Sequence, residues 1–168
     1  FVWKCEVVRE EGRQGVKFYR LSPDGEEGFP GNMEAYVTYW LSDDNVVTLE
    51  YEATTDKPTV VNLSNHTYFN LRGSESSYVM EHILQVEADT CVQNNLQYCP
   101  DILLPVEDTP FDFREPHRID YRIDMPNEHL RIMKGMSACW VIRDWDGSLR
   151  KAADLYDTKT GRGVETWT

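Results

Sequence analysis

The chain has 168 residues, 40% of them hydrophobic and 12% aromatic, enough apolar side chain to bury a core, which excludes wholesale disorder. With 17 Lys+Arg against 29 Asp+Glu its formal charge is −12, and without a compensating basic cluster nucleic acid is excluded as the main ligand, since phosphate binding needs a concentrated basic surface. No apolar run reaches the roughly 18–20 residues of a membrane-spanning helix, and no basic-then-apolar signal segment follows Phe1.

Along the chain the hydrophobic period is two. Residues 2–8 and 15–21 read as strands, and Ser22-Pro-Asp-Gly25 reads as a turn. Ala35 to Leu41 is rich in β-branched and aromatic residues. Residues 46–53 then alternate, with Val47, Leu49, Tyr51 and Ala53 on one face and Val46, Thr48, Glu50 and Glu52 on the other, the pattern of a half-buried strand. Ser42-Asp-Asp-Asn45 between these two segments predicts a hairpin. Further strands are expected at 58–69, 82–88, 138–143, 150–156 and 163–168, with a turn at Asp144-Trp-Asp-Gly147. Only 115–121 and 127–134 have room for a turn or two of helix. Strands at this spacing describe an antiparallel all-β sandwich, and with no repeat or linker to divide it the chain is expected to be one domain, 1–168.

The segment from Thr59 to Leu71 breaks its own pattern. It opens on good strand formers, yet Asn62, Asn65, His66 and Asn70 recur inside it, and Asn is depleted from strands because its short amide competes for backbone hydrogen bonds. Amides and an imidazole at this density need partners. One reading is a buried polar network pinning the register of a long strand; the other is the floor of a polar cleft, with His66 as its titrating group. Two glycosylation sequons, Asn62-Leu-Ser64 and Asn65-His-Thr67, fall in the same segment, where burial would make them poor acceptors.

Other chemistry is sparse. Cys5, Cys91, Cys99 and Cys139 are scattered and read as reduced thiols of a sheet core, and His66, His82, His117 and His129 lack metal-ligand spacing, so no metal site is expected. No P-loop, GxGxxG or GxSxG element occurs. Asp112 and Arg114 read as an ion pair anchoring a loop, and the five Trp residues as core or edge packing. Unpaired cysteines and the lack of a signal segment favour the cytoplasm, with the periplasm as the alternative should an N-terminal signal precede Phe1.

Val61-Asn-Leu-Ser-Asn-His-Thr-Tyr-Phe-Asn-Leu71 resembles the signature of the aldose 1-epimerases, or galactose mutarotases, in which an Asn-His pair precedes a small hydroxyl residue, Tyr and Phe. Four more stretches resemble family landmarks in family order: Ser22 to Asn32, Tyr51 to Thr59, Leu104-Pro-Val with Thr109-Pro-Phe-Asp-Phe-Arg114, and Gly161 to Thr168. The resemblance implies an antiparallel β-supersandwich that binds an aldohexose sugar in an open cleft. It implies acid/base interconversion of α and β anomers, which requires neither metal nor organic cofactor. His66 matches the family's His that donates to the ring oxygen. Thr67 and Tyr68 beside it are candidates for sugar contact; an aromatic beside a strand is more often core, and Tyr68 carries that reading too.

The resemblance also says what to expect at the edges of the match. The family's His-Leu-His-Gly-Gly segment, with a second substrate-binding His, belongs before the part matched by Phe1-Val-Trp3, and its catalytic Glu, the base, beyond the part matched by Thr168. The chain is therefore expected to be the central portion of a larger supersandwich, truncated at both ends relative to the family. Where the family has Gly-x-Asp-His-x-Phe, this chain reads Gly135-Met-Ser-Ala-Cys-Trp140, so Ser137 stands at an Asp that accepts bonds from sugar hydroxyls and Ala138 at the neighbouring His. Three readings follow: the central piece of an enzyme, a non-catalytic carbohydrate-binding module, or one part of an assembly. In the third, exposed sheet edges would pair with another copy or a complementary chain.

Overall fold

The period-two segments of the N-terminal third pair as an antiparallel meander in the computed structural model, which describes residues 1–74 and 78–168. Its strands are β1 (Lys4–Glu10), β2 (Arg13–Ser22), β3 (Met33–Ser42) and β4 (Val47–Thr55), in the order β1-β2-β3-β4, with a single 3-10 turn at Glu26–Gly28. Contacts divide the chain into two compact units, Phe1–Thr67 and Tyr68–Thr168. In the first, pairing sets Val7 opposite Val16, Val16 opposite Tyr39 and Tyr39 opposite Leu49, so these apolar residues share one face. The other face carries Arg13, Lys17, Thr38, Trp40, Glu50 and Glu52. There the Arg13 guanidinium lies 4.2 Å from the Trp40 ring, and Trp40 Nε1 donates to Glu50 at 2.9 Å. These contacts bury Trp40 beneath charged chains, at 7% exposure.

The strand expected over 58–69 is absent. That stretch has no regular structure and most of it is exposed, so neither a long register-pinned strand nor a buried polar network forms there. The cause is the amide competition noted in the sequence. Asn65 Oδ1 accepts the Thr67 N–H at 3.2 Å, and Asn70 Oδ1 accepts the Arg72 N–H at 3.1 Å, each closing a local turn in place of a ladder bond. The two sequons accordingly lie on exposed chain.

The second unit holds β5 (Ile83–Val86), β6 (Ala88–Asn94), β7 (Pro100–Pro105), β8 (His117–Arg118), α1 (Glu128–Met133), β9 (Cys139–Ile142), β10 (Lys151–Asp157) and β11 (Arg162–Trp167). They form two antiparallel sheets, β11-β10-β5-β8 and β7-β6-β9. Two adjoining clusters make the core: Val86, Ala88 and Phe113, and Cys91, Val106, Phe111 and Leu130, with Trp140 packed against both. Trp140 Nε1 donates to the Phe111 carbonyl at 3.0 Å, so the one polar atom of the ring is satisfied.

Several local expectations change here. Strand β7 lies within a stretch that the sequence reading left without a strand, and Pro at both ends confines it to a sheet edge. Residues 115–121 are not helical; His117 and Arg118 pair with Leu84 and Ile83 instead. All four cysteines are free, but only Cys91 is buried, so the thiols are not core residues as a set. Trp3, Trp145 and Trp167 are exposed, Trp167 on the edge strand β11, so of the expected core or edge packing only Trp40 and Trp140 take the core form. Among the described residues no helix is long and apolar enough to cross a membrane.

Candidate functional site

In the first unit, β4 hands the chain to the Asn- and His-bearing segment through a polar knot. Asp24 Oδ1 accepts the Gly31 N–H at 2.6 Å, and its other oxygen takes the Lys57 ammonium at 2.7 Å. Asp56 receives both the backbone and the side-chain N–H of Asn32 at 2.7 Å. The Lys57 hydrogen bond and the Gly31 amide hold the Asp24 carboxyl below the usual carboxylate range, and the Asn32 donors do the same for Asp56. Gly31 makes the close approach feasible. Its φ is +88°, and a Cβ there would stand 2.7 Å from Thr55 Oγ1. The turn from Ser22 to Asn32 is thereby tied to the start of the segment that ends in His66 and Thr67.

His66 and Thr67 are exposed, at the end of the first unit. The Thr67 N–H donates to Asn65 Oδ1 at 3.2 Å, an Asx-type bond that spans the exposed His66.

Tyr68 opens the second unit and is 86% exposed, which overturns its reading as a core residue. Three residues on, the chain is pinned hard. The Leu71 N–H donates to His82 Nε2 at 3.1 Å, while its carbonyl accepts from Arg162 Nη1 at 3.0 Å and Thr160 Oγ1 at 3.3 Å. His82 is fully buried, and its Nδ1–H donates to the Val79 carbonyl at 2.7 Å, which assigns the tautomer. Arg72 reaches Asp157 at 3.0 Å and Glu81 at 2.8 Å. Burial pushes the Asp157 carboxyl up, but hydrogen bonds from Arg72 and Thr160 outweigh it and bring the pKa to about 2. Lys159 and Arg72 hold Glu81 at about 2 as well. This latch fastens the end of the segment beginning at Tyr68 to the β10–β11 hairpin.

Ser137 is exposed in the connection between α1 and β9. Asn127 caps α1 by accepting the Leu130 N–H at 3.1 Å, and Lys134 ends it in the left-handed conformation at φ 57°. His129, buried on this helix, then works in both directions. Its Nε2 donates to the Ser137 carbonyl at 2.6 Å and its Nδ1 accepts the Asn94 N–H at 3.1 Å. One donor and one acceptor require a neutral ring. His129 thus holds Ser137 against the end of β6. Sequence reasoning recorded this histidine only as dispersed, since its partners are 8 and 35 residues away.

Each unit also carries an open cleft. The first, of about 600 Å³, lies on the charged face around Trp40. The second, of about 640 Å³, is lined by Glu87, Asp89, Asp112, Arg114, Tyr121 and Arg143 among others. Its arginines are committed: Arg143 grips Asp89 with two bonds of 2.8 Å, and Arg114 grips Asp112 at 2.8 and 2.9 Å, the loop-anchoring pair expected from the sequence. Neither cleft is lined by His66, Thr67, Tyr68 or Ser137. Among the described residues no three His, Cys, Asp or Glu side chains gather as metal ligands would.

The comparisons give this arrangement its relatives. The family model described as aldose 1-epimerase matches residues 1–168. The chain is 35% identical to the aldose 1-epimerase of Escherichia coli K12 over 98% of its own length, and 34% identical to the galactose mutarotase of Mus musculus over 95%. In both cases it spans about half, 47%, of the relative. The crystal structure of a galactose 1-epimerase from Lactobacillus acidophilus is similar at a TM-score of 0.82 and 27% identity, over 94% of this chain and 45% of that one. An aldose epimerase homologue from C. elegans is similar at 0.77 and 31%. A match along every residue, together with sequence landmarks in order, means that the chain belongs to the aldose 1-epimerase family, with the mostly β, antiparallel galactose mutarotase-like fold over about half of its relatives' length.

Proposed function

We propose that this chain supplies the proton-donating side of an aldose 1-epimerase reaction on an aldohexose such as galactose or glucose. The observation that carries the reading is the exposed Asn65-His66-Thr67 segment, held by the Thr67–Asn65 bond, with its imidazole at the family's motif position. His66 as the imidazolium gives its proton to the ring oxygen while a base takes the proton of the anomeric hydroxyl. The bond from C1 to the ring oxygen breaks, C1 becomes an aldehyde, and its π bond is formed from the former hydroxyl oxygen. Rotation about C1–C2 exposes the other face, and the two transfers run in reverse to close the opposite anomer. Thr67, Tyr68 and Ser137 are the hydroxyl groups assigned to sugar contact, Tyr68 through its ring face as well. No acidic residue of this sequence matches the family's base, so the chain by itself binds sugar and turns it over little.

A non-catalytic sugar-binding module is the second reading, and Ser137 with Ala138 in place of Asp and His favours it: the charge-assisted grip on sugar hydroxyls is gone. One titration separates the two. Galactose is added while the His66 ring resonances are followed by NMR, and rotation of fresh α-D-galactose is followed by polarimetry. Saturable binding that moves the His66 resonances, with rotation near background, is the expected outcome. Saturable binding that leaves His66 unmoved assigns the module, and no saturable binding at high sugar concentration overturns both. Rapid rotation abolished by His66→Gln would show that the chain supplies its own base.

A further inference from the structure

The β6–β9 ladder stops short of the end of β6, and a histidine stands in the gap. Val92 faces Cys139 as the last pair, and the same register sets Asn94 opposite Ser137. β6 itself runs on to Asn94, paired there with Pro100 of β7 on its other side, whereas β9 begins only at Cys139. Between Asn94 and Ser137 lies the His129 ring, which takes the Asn94 N–H on Nδ1 at 3.1 Å and gives its Nε2–H to the Ser137 carbonyl at 2.6 Å. Two backbone groups that a direct ladder bond would hold about 2.9 Å apart are thus joined across the width of an imidazole.

The ring is fixed by what surrounds it. It is 3% exposed, meets Phe111 edge to face at 5.1 Å, and sits on α1 beside Leu130, which with Phe111 belongs to one core cluster. Met136 and Ala138, on either side of Ser137, pack against that cluster too, while Ser137 is exposed and so turns its side chain away from the core. The Gly135 N–H donates to the Leu130 carbonyl at 3.1 Å and anchors the start of the short stretch leading to Ser137. A neutral imidazole has one donor and one acceptor, and here both are committed to the backbone. Nothing of the ring is left for a substrate.

We propose that His129 is a positioning residue of the sugar site: by wedging the ladder open it fixes the backbone at Ser137, and with it the point where the Ser137 hydroxyl meets the sugar. This rests on the proposed contact between Ser137 and the sugar. A direct ladder bond would draw Ser137 into the strand, and the wedge holds it out by one ring. The placement matters more for this side chain than for a carboxylate. A hydroxyl brings a single oxygen and no charge to strengthen its bond, so its contribution depends on where its backbone is held.

Galactose titrations of the full chain, followed by NMR, test it. His129→Phe keeps a ring packed on Phe111 but loses both bonds, and should raise the galactose Kd about tenfold. His129→Gln, whose amide again offers one acceptor and one donor, should return it to within about threefold of the unmodified chain. Ser137→Ala should weaken binding as His129→Phe does, and the double variant His129→Phe/Ser137→Ala no further than either, since a residue acting through Ser137 has nothing to add once the hydroxyl is gone. In the unmodified chain, saturating galactose should also shift the His129 Nε2–H proton. Additive losses in the double variant, a Phe variant that binds as the unmodified chain does, or a Gln variant as weak as Phe overturns the proposal. So does an unmoved Nε2–H proton at saturation, even if His129→Phe fails to fold. Binding that never saturates, or that is indifferent to Ser137→Ala, overturns the sugar contact itself and the inference with it.

Discussion

The two units of this chain bury their residues by opposite means. In Tyr68–Thr168 the cover is internal: Phe113, Val106 and Pro110 are all but sealed, and even the polar groups His82 and Asp157 are fully buried with their bonds satisfied. In Phe1–Thr67 four longer strands in near-perfect register bury few residues, chiefly Ala35, Thr38 and Trp40, and leave an apolar face open. Regular pairing is therefore no measure of a core. The well-formed meander satisfies its backbone, whereas the short, irregular strands of the second unit exclude water.

That contrast can be broken, most severely at Phe113. Phe113→Ala removes a ring at 1% exposure that packs on Val86 and Ala88 and meets Trp140 edge to face, and is expected to cost about 3–5 kcal/mol in urea unfolding. A loss under about 1 kcal/mol would show that the second unit is not sealed as described. The buried latch comes next. The Asp157 pKa is depressed to about 2 in the fold, so its contribution is complete above the unfolded value near 3.8 and is lost as pH falls from about 4 towards 2. The urea midpoint should fall over that window, and in Asp157→Asn it should be lower at pH 7 and flatter between pH 4 and 2. Identical pH slopes in the two proteins would remove Asp157 from the account. The smallest effect belongs to the charged face of the meander. Lys17 and Glu52 sit 3.5 Å apart on open surface, and Lys17→Ala should cost under about 1 kcal/mol in the same assay. A larger cost would mean that this face, too, is held by buried contacts.

Much of the first unit was legible in the sequence because its signals are local. The expected strands 2–8, 15–21, 35–41 and 46–53 agree with β1–β4 to within a few residues, and the hairpin turn at Ser42 to Asn45 has Asn45 at φ 66° as such a turn requires. The helix expected at 127–134 forms as α1 behind its Asn127 cap. Errors arose where distant partners decide. The segment 58–69 looked like a strand by composition, but its amides close turns on their own backbone. Strand β7 falls in a stretch for which the sequence predicted no strand, yet it pairs across from Val92 and Cys91.

The sequence by itself determined the strand periodicity and, through short motifs in order, the family, because each of these signals is read from neighbours a few positions apart. Tertiary structure alone decided that His82 and His129 are neutral buried struts, that Arg72 closes on Asp157 85 residues away, and that Val7, Leu41 and Val47 are exposed on the side of their sheet where Ala35 is buried. Burial and long-range ion pairing are properties of what stands opposite a side chain. No periodicity within one strand encodes its opposite number.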